Sequence, residues 1–508
     1  MKSNIQPKPK QNSKARPKSK QIKTYVLLLI CSALIYILIA LLPFIGRVHV
    51  SDETRSAFSV DNFHGQYEIP ERVMLLETPR DAFFHRVNLI SKAQEQIILA
   101  SYAINIGATS DIIVGGLLSA AERGVQVTII HNAIGGAMPS SYINVLAAHD
   151  NIGVYRFNQF NLFRPRFINP ALHDKYMIID NTHMILGGRN IGDRYYNPDC
   201  FTGRVAFDRE VLIYNTDSQF LGSISDVTAY AQKKLSSQMA LAYNRTQRSN
   251  WEANTNHFKD LYQEHMAELY LEHSVALQDF DQNLFDYYAN TTAVNKITLV
   301  TNPIESVRHD SVVAYNLVQL TRNSHTIVAQ SPYVVLTNRN LAIFSEMVDG
   351  RDFTLSTNSL ASTNNLPSFS SYLRRRACLV GTGITIYEFQ NTQISLHSKT
   401  YLFDGRLTAI GSFNMNERSA RLDTESMLII DSEEFHAITL EAVNAQIAQS
   451  LRVNENNMYR SRNHDVYNSS FYSVYEPSLH VEVAHVSRGK KLLYGAAGYL
   501  LRMFWFMF

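Results

Sequence analysis

The chain has 508 residues, of which 45% are hydrophobic and 18% are charged, and this composition excludes an intrinsically disordered protein. Its length suits two domain-sized halves with additional segments. The net charge of +2 is unevenly distributed: eight of the 47 basic residues lie among the first 23, where no acidic residue occurs, so the remainder carries 39 basic and 45 acidic residues. A mildly acidic body disfavours nucleic acid as a partner, because binding to a phosphate backbone needs a basic surface.

The N-terminal region predicts a membrane anchor. Residues 1–23 are rich in Lys, Pro and Ser and are predicted to form a basic cytoplasmic tail. Residues 24–46 contain no charged side chain, and about 20 such residues cross the hydrocarbon core of a bilayer as a helix. A cleaved signal peptide is the alternative, but its apolar core would be shorter, about 7–15 residues, and no small-residue cleavage site follows. The positive-inside rule keeps the tail cytoplasmic and places the body across the membrane.

Alternating strand and helix patterns follow a linker that is predicted over residues 47–70. In the first half, residues 71–220, apolar β-branched runs predict strands at 96–104 and 125–131, and helical spacing predicts a helix at 110–123. A strand, a helix and a strand in this order imply a parallel pair joined by a crossover helix.

The second half, residues 296–475, repeats this rhythm. The predicted elements are strands at 324–329, 353–356 and 384–388 and helices at 338–348 and 372–380. Residues 221–295, between the halves, favour helix and are predicted to pack outside the two cores as a helical connector. The amphipathic C-terminal tail, residues 476–508, either docks on the body or lies in the membrane interface.

A nine-residue stretch of the first half recurs in the second. Residues 172–180 read Leu-His-Asp-Lys-Tyr-Met-Ile-Ile-Asp, and residues 396–404 read Leu-His-Ser-Lys-Thr-Tyr-Leu-Phe-Asp. His, Lys, Asp and a downstream Gly and Asn all recur at one constant offset of 224 residues. Such agreement indicates an internal duplication. The predicted fold class is therefore α/β, with two pseudo-two-fold-related halves of mixed sheets flanked by helices, and an N-terminal transmembrane helix.

The repeated motif places a histidine and a lysine on one face of each strand. Because alternate residues of a strand point the same way, His173 and Lys175 share a face, and so do His397 and Lys399. When the halves meet around the pseudo-two-fold axis, both pairs enter one pocket. This combination predicts a phosphodiester site.

The predicted pocket contains groups for each step of phosphoryl chemistry. The ammonium groups and the amides of Asn190 and Asn414 can hold the non-bridging oxygens and the charge of the transition state. One neutral imidazole attacks phosphorus and a protonated one supplies the leaving alcohol with its proton, which histidine can do near neutral pH because its reference pKa is about 6.5. A covalent phosphohistidine results, and an alcohol or water resolves it. No sequence cluster has metal-ligand spacing, so we expect a metal-independent reaction without a cofactor.

A carboxylate behind each imidazole would fix its tautomer. Glu210 and Glu425 are the candidates for these His-orienting residues, because each lies in a strand-like run after the repeated Asn. In the first half, Asp208 competes with Glu210 for this role.

The three cysteines do not form a disulfide framework. Cys31 lies in the apolar N-terminal run, and Cys200 and Cys378 lie in different halves. The last two are predicted to be unpaired, buried thiols; the alternative is a bridge between them in an oxidising compartment.

These motifs resemble those of the phospholipase D superfamily and, more narrowly, those of bacterial cardiolipin synthases of the C type. The resemblance covers about residues 71–475. It rests on the two nine-residue copies and on segments 187–193, 357–363, 387–388 and 411–425. It implies two phospholipase D-like halves and a location in the cell inner membrane, whereas the single N-terminal span departs from the family's usual membrane-anchoring pattern.

The resemblance also implies roles for the catalytic and binding residues. His173 and His397 would carry the covalent and acid–base steps, with His173 as the nucleophile. The residues that would bind phosphate are Lys175, Lys399, Asn190 and Asn414. Asp180 and Asp404 would complete the catalytic set by supporting the site without reacting.

The activity that the resemblance implies is phosphatidyl transfer to phosphatidylglycerol or another alcohol, which makes cardiolipin-type lipid. Phosphatidylglycerol, phosphatidylethanolamine as a further candidate, and the membrane itself are the implied partners. The first alternative is hydrolysis by the same site, of phospholipid or, against the charge distribution, of nucleic acid. The second is a non-enzymatic membrane protein, which is disfavoured because neither copy of the motif has lost its His, Lys, Asp or Asn.

Three further features have two interpretations each. The Arg and aromatic residues of 156–167 line a mouth for an anionic headgroup or form a partly buried loop. Tyr333, at a predicted strand end, touches substrate or only packs. Arg374, Arg375 and Arg376 form a solvated helix face or contact phosphate.

Overall fold

The computed structural model describes residues 18–42, 50–136, 138–165, 169–244, 251–276, 285–304, 310–453, 459–460, 466–467 and 486–501. The predicted tail before residue 18 and residues 502–508 lie outside these ranges. The helices are α1 (Lys18–Leu41), α2 (Asp52–Ala57), α3 (Pro79–Lys92), α4 (Ala108–Glu122), α5 (Ser140–Leu146), α6 (Asp193–Tyr196), α7 (Ser223–Ser236), α8 (Trp251–Ala276), α9 (Val312–Arg322), α10 (Asn338–Val348), α11 (Leu366–Val380), α12 (Glu417–Arg421), α13 (Glu433–Ile447) and α14 (Arg488–Leu500). The strands are β1 (Glu71–Leu76), β2 (Gln96–Ser101), β3 (Gln126–Asn132), β4 (Ile152–Phe157), β5 (Tyr176–Ile179), β6 (His183–Gly187), β7 (Val205–Phe207), β8 (Glu210–Asn215), β9 (Ala240–Ala242), β10 (Thr292–Ala293), β11 (Lys296–Thr301), β12 (Thr326–Gln330), β13 (Asp352–Asn358), β14 (Thr385–Phe389), β15 (Ile394–Leu396), β16 (Thr400–Phe403), β17 (Leu407–Gly411), β18 (Ser426–Asp431), β19 (Ser450–Val453), β20 (Tyr459–Arg460) and β21 (Val466–Tyr467).

The first half builds a nine-stranded sheet in the order β10-β1-β8-β6-β5-β2-β3-β4-β9. Strands β2, β3 and β4 run parallel, and the other neighbours are antiparallel. The β2–β3 pair extends from Gln96 opposite Gln126 to Ser101 opposite His131, and α4 connects the two strands. The predicted parallel pair with its crossover helix is confirmed.

The second half builds a ten-stranded sheet in the order β11-β18-β17-β16-β12-β13-β14-β19-β20-β21. Its first seven strands match the series β1-β8-β6-β5-β2-β3-β4 one for one, including the parallel run of β12, β13 and β14. The shared order confirms the predicted fold class, in which two similar mixed sheets are flanked by helices.

Apolar layers cover both faces of each sheet. Helices α3, α4 and α8 pack on one face of the first sheet, and α9, α10, α11 and α14 pack on one face of the second. Between the sheets lies one cluster that joins residues of both halves, among them Ile178 of β5 and Ile410 of β17, with Val227 of α7 and Phe435 of α13. Because apolar burial contributes about 25 cal/mol per Å², this shared layer stabilises the pairing of the halves as well as each sheet.

Residues 221–295 contribute to the first sheet as well as connecting the halves. Helices α7 and α8 agree with the predicted helical character, but β9 and β10 extend opposite edges of the first sheet. Helix α8 lies close to α4 because Gly115 has no side chain: a Cβ there would lie 1.9 Å from the carbonyl oxygen of Phe258. The prediction that this segment packs outside the cores is therefore wrong, since α8 adds Tyr262 and Met266 to the first core.

The predicted linker also packs against the body. A 3-10 helix at Val60–Phe63 follows α2, and Phe63 is buried in the core of the second half. The Ser51 backbone N–H and hydroxyl donate to the Asp310 carboxylate at 2.9 and 2.5 Å. The described residues 50–70 are therefore part of the second half's surface rather than a simple linker.

Helix α1 is the one helix within the described ranges that is long and apolar enough to cross a membrane, over Ile22–Leu41. Its apolar side chains are exposed, as Leu29 shows with 74% of its surface accessible. This helix overlaps the predicted span, of which residues 43–46 lie outside the described chain.

Helix α14 corresponds to the docking alternative for the C-terminal tail. Tyr494 and Ala497 are buried, and the Tyr494 ring lies 5.9 Å from that of Phe369 on α11. The opposite side of the helix exposes Leu492 and Leu500. One side of the amphipathic helix is therefore docked, and the other remains accessible.

All three cysteines are free, and all three are exposed. Cys200 and Cys378 are therefore unpaired, as the sequence predicted, and do not form the alternative bridge. The prediction that their thiols are buried is wrong, because Cys200 lies in a turn after α6 and Cys378 on the solvent side of α11.

Candidate active site

The two motifs enter the boundary between the halves and are fixed there by the opposite half. The Thr424 N–H donates to the carbonyl of Ala171 at 2.9 Å, just before His173. In the other copy, β15 pairs in parallel with β7, and the His397 N–H donates to the carbonyl of Phe207 at 2.7 Å. Each histidine is thus placed by backbone contacts that cross the pseudo-two-fold axis.

Each imidazole is also held by a carboxylate of the opposite half. His173 Nδ1 lies 3.0 and 3.1 Å from the two carboxylate oxygens of Glu425. His397 Nδ1 lies 2.5 Å from Asp208 Oδ2. Because Nδ1 is engaged in both rings, Nε2 of each histidine is the nitrogen left for chemistry.

Glu210 does not contact either histidine, so its predicted orienting role is wrong. Its carboxylate lies 2.8 and 2.5 Å from the guanidinium nitrogens of Arg86 and 3.3 Å from Arg189. Strand register explains the difference. In the first half Gly187 pairs with Glu210, and in the second half the equivalent Gly411 pairs with Met427. Glu425 lies two residues before Met427, so its equivalent in the first half is Asp208, two residues before Glu210.

The lysines and asparagines of the two motifs are buried together. Lys175 and Lys399 each donate to the backbone carbonyl of the histidine two residues earlier, and Lys399 Nζ also lies 3.1 Å from the ring of His397. Asn190 donates to the Tyr195 hydroxyl at 2.9 Å. Asn414 Oδ1 is buried and has no hydrogen-bond partner in the described part of the chain. The lysine ammonium groups and the asparagine NH₂ groups are the donors that the predicted phosphate site requires.

Burial and the lysine charges shift the pKa values of the pocket groups. Burial is the main cause that lowers the pKa of each histidine, and the lysine of the same motif, Lys175 or Lys399, is the second. The pKa of His173 falls well below its usual value, and that of His397 falls to about 3. Burial also lowers the pKa of Lys175 to about 8 and that of Lys399 to about 7. Both histidine pKa shifts favour the neutral imidazole at pH 7.

The two orienting carboxylates differ in their ionisation. Burial raises the pKa of Glu425 to about 8. Burial acts in the same direction on Asp208, but the charges of Lys399 and His397 outweigh it and hold the pKa of Asp208 below its usual value. The carboxylate behind His397 is thus the more strongly anionic of the two.

Asp180 and Asp404 lie at the far end of their strands, away from the pocket. At about 3.3 Å per residue, the seven residues from His173 to Asp180 span roughly 20 Å. Asp180 accepts the backbone N–H groups of Glu95 and Gln96 at 2.8 Å, and Asp404 accepts two equivalent N–H groups of the second half. Both adopt a left-handed backbone, with φ of 49° and 48°. Their inclusion in the catalytic set is therefore corrected: they fix the turn that follows the catalytic strand.

Aromatic rings line both histidines, which the sequence did not predict except for the open case of Tyr333. The ring of Tyr102 lies 5.7 Å from that of His173, and the rings of Tyr195 and Tyr333 lie 5.7 and 6.1 Å from that of His397. These rings restrict the imidazole orientations and exclude water from the sides of the pocket.

A buried ion pair supports the first motif. Lys234 Nζ of α7 donates to Asp174 Oδ2 at 2.6 Å, and Thr424 Oγ1 donates to the same carboxylate. No sequence signal identifies this pair, because Lys234 lies 60 residues from Asp174 on a separate helix.

Arg376 does not lie on the solvated helix face that was one of its two interpretations. Its side chain is buried and pairs with Glu388 at 3.0 Å.

Within the described residues, no three His, Cys, Asp or Glu side chains are grouped so that they could hold a metal ion. The metal-independent reaction remains a prediction.

Comparisons with known proteins agree with this architecture. The family described as "Cardiolipin synthase, PLD-like domain" matches residues 87–220 and 319–446, one segment in each half. Cardiolipin synthase C of Escherichia coli K12 is 26% identical over 396 residues, which cover 70% of this chain and 81% of that protein. An uncharacterized protein of Helicobacter pylori is 28% identical over 410 residues, which cover 71% of this chain and 76% of that protein.

A solved structure shares the fold over most of its length. Phosphatidylserine synthase of Haemophilus influenzae superposes with a TM-score of 0.58, covering 85% of this chain and 95% of that one at 13% sequence identity. The paired sheets, the two His-Lys motifs in one pocket and the family match in each half lead to one conclusion. The chain belongs to the phospholipase D superfamily, in the family of cardiolipin synthase-type PLD-like domains.

Proposed function

We propose that this protein is a membrane-anchored phosphatidyltransferase, which forms cardiolipin-type phospholipid through a covalent phosphohistidine. One observation carries the proposal: two imidazoles share one pocket with two lysines, and each imidazole is held at Nδ1 by a carboxylate of the opposite half. Such a pocket offers one nucleophile and one proton donor to the same phosphodiester.

In the first step, Nε2 of one histidine attacks phosphorus and the bond to the leaving alcohol breaks. Lys175 and Lys399 balance the charge on the non-bridging oxygens, and Asn190 and Asn414 supply amide donors. The second histidine gives its proton to the leaving alcohol. An incoming alcohol then attacks the phosphohistidine, and the same second histidine takes up its proton.

We assign the nucleophile to His173 and the acid–base role to His397. The anionic Asp208 favours a protonated His397, whereas the raised pKa of Glu425 leaves His173 neutral. The lysine charges oppose protonation of either ring. A bound phosphodiester would offset those charges, so that substrate binding itself allows His397 to gain its proton.

The position of α1 supports a lipid substrate. The side chain of Asn169, four residues before His173, donates to the carbonyl of Ala40 at 2.5 Å, which places the end of α1 beside the loop that enters the pocket. The same loop exposes Phe160 and Phe163, the latter with 92% of its surface accessible. Exposed aromatic side chains beside an apolar helix suit a membrane interface.

The relatives support the choice of lipid and the location. They include a cardiolipin synthase and a phosphatidylserine synthase, whose names indicate phospholipid products. We therefore propose phosphatidylglycerol as a substrate, with phosphatidylethanolamine as a further candidate. We also propose a single span in the cell inner membrane, with the basic N-terminus cytoplasmic and the body outside the cytoplasm.

The test uses purified full-length protein in mixed micelles of phosphatidylglycerol, with and without phosphatidylethanolamine. Mass spectrometry follows the lipid products, and His397→Ala serves as the inactive control. Cardiolipin formed by the wild type alone supports the proposal. Phosphatidic acid as the sole product would instead assign hydrolysis, and unchanged lipid would refute a phospholipid substrate.

A further inference from the structure

Arg194 faces the acid–base side of the pocket. It belongs to α6, and its guanidinium carbon lies 5.8 Å from the ring centroid of Tyr195, which packs edge-on against His397. Its charge acts on the pocket, since it contributes to lowering the pKa of both His397 and Lys399. The side chain is thus close to the groups that would handle the alcohol.

The duplication supplies a matched comparison, because Arg418 lies 224 residues after Arg194 and occupies the same motif position. Arg418 is neutralised: its Nη2 and Nε atoms lie 2.9 and 3.2 Å from the Asp423 carboxylate, and Nη2 also donates to the carbonyl of Asn169 at 2.7 Å. Arg194 Nε and Nη2 are buried, and within the described residues they have no hydrogen-bond partner and no ion pair. Part of the half-buried Arg194 guanidinium is thus desolvated without a counter-charge, which favours the binding of an anion.

Two further cations, Arg204 and Lys490, lie close to each other. Arg204 Nη1 donates to the carbonyls of Ala361 and Thr363 at 2.7 and 2.9 Å, and Lys490 Nζ of α14 donates to the Thr363 carbonyl at 3.1 Å. Two cations on one carbonyl oxygen must lie close together. Helix α6, which carries Arg194, packs against β7, whose first residue follows Arg204, and burial and then the Arg194 charge lower the pKa of Arg204. Within the described part of the chain, none of the three cations forms an ion pair with a carboxylate.

The reacting phosphate has its own ligands in the two lysines and two asparagines, so this second group of cations is available for another anion. In the proposed mechanism, His397 exchanges a proton with the alcohol, which places the alcohol on the Arg194 side. The terminal hydroxyl of phosphatidylglycerol is linked to its phosphate oxygen through three carbons. A phosphatidylglycerol acceptor at His397 therefore carries a negative charge into this region.

We propose that Arg194, Arg204 and Lys490 form a second phosphate subsite, which holds the phosphodiester of an anionic phospholipid whose hydroxyl accepts the phosphatidyl group. This inference rests on the proposed function and extends it to the choice of acceptor. The exposed apolar side of α14, with Leu492 and Leu500, lies on the same helix as Lys490 and suits the acyl chains of that lipid.

The experiment compares two acceptors in the same micelles: phosphatidylglycerol, which gives cardiolipin, and butanol, which gives phosphatidylbutanol and carries no phosphate. Arg194→Gln should reduce the ratio of cardiolipin to phosphatidylbutanol by about tenfold or more, as expected for loss of a charged hydrogen bond. Arg194→Lys should restore part of the ratio, and Lys490→Met should lower it. Arg322→Gln, a remote and partly exposed arginine on α9, is the control for general loss of charge.

Two further readouts separate binding from structure. Because Arg194 forms no ion pair within the described residues, Arg194→Gln should melt no lower than the wild type; a lower melting temperature would indicate a structural role and count against the subsite. Inorganic phosphate should inhibit cardiolipin formation more than phosphatidylbutanol formation in the wild type, and Arg194→Gln should lose this selectivity. If phosphate inhibits the formation of both products equally, it binds only in the catalytic pocket. That result would contradict the second subsite.

The failure of this inference is distinct from failure of the proposed function. A wild type that forms both products, with Arg194→Gln slowing both equally, would refute the subsite and leave phosphatidyl transfer in place. A wild type that forms neither product would remove both proposals.

Discussion

Replacing Asp208 by Asn tests the cross-half arrangement of the active site. The substitution keeps the size of the side chain but removes the negative charge 2.5 Å from His397 Nδ1. A hydrogen bond to a charged group contributes about 1.5–3 kcal/mol, and 1.36 kcal/mol is tenfold in rate, so kcat should fall about 10- to 150-fold. The lipid-product assay in mixed micelles measures this loss, with circular dichroism to match the amounts of folded protein.

Glu210→Gln is the matched control, because the sequence alone favours Glu210 for the same role. The structure instead places Glu210 between Arg86 and Arg189, where removing its charge leaves two buried cations without their carboxylate partner. Unfolding free energy should fall by about 3–5 kcal/mol, while kcat per folded molecule stays close to that of the wild type. The reasoning is refuted if Asp208→Asn keeps most of the wild-type kcat, or if Glu210→Gln loses as much kcat at an equal folded fraction.

Asp208→Asn also has an expected pH signature. The pKa of Asp208 is held below its usual value in the folded state, so its contribution to stability is present above the unfolded-state pKa of about 3.9 and is lost as pH falls through the folded-state pKa. The stability difference between wild type and variant should therefore be larger at pH 7 than at pH 3. Urea denaturation at the two pH values measures it, and a constant difference would contradict the assignment of Asp208 as an anion.

Four other predictions concern the same pocket. In wild-type protein denatured during turnover in mildly alkaline detergent, which preserves the acid-labile P–N bond, peptide mass spectrometry should find the phosphatidyl adduct on His173, and an adduct on His397 would contradict the nucleophile assignment. After burial, the Lys399 charge is the largest cause of the lowered pKa of His397, so Lys399→Met should shift the NMR titration of that ring to higher pH; an unchanged titration would argue against their coupling. Lys234→Met leaves the buried Asp174 unpaired and should cost about 3–5 kcal/mol of unfolding free energy, whereas an unaltered denaturation midpoint would show that the pair contributes little. Excess EDTA should leave turnover unchanged, and a loss that added Mg²⁺ or Ca²⁺ restores would refute metal-independent chemistry.

Local sequence patterns were sufficient to predict the duplicated α/β fold and the two His-Lys motifs that meet between its halves. Strand and helix periodicity depends on neighbouring residues, and for this reason β2, α4 and β3 were predicted within a few residues of their observed bounds. The repeat of His173 and Lys175 at His397 and Lys399 identified the pocket because alternate strand residues share a face.

The tertiary structure decided which distant groups meet. The strand register assigns Asp208 rather than Glu210 to His397 and moves Asp180 and Asp404 to the turns, because pairing between strands sets which side chains face the pocket. Arg194 and Arg418 occupy the same position of the repeat, yet only Arg418 has a carboxylate partner. Such differences between the halves arise from contacts between residues far apart in the chain, and the repeated motif by itself does not encode them.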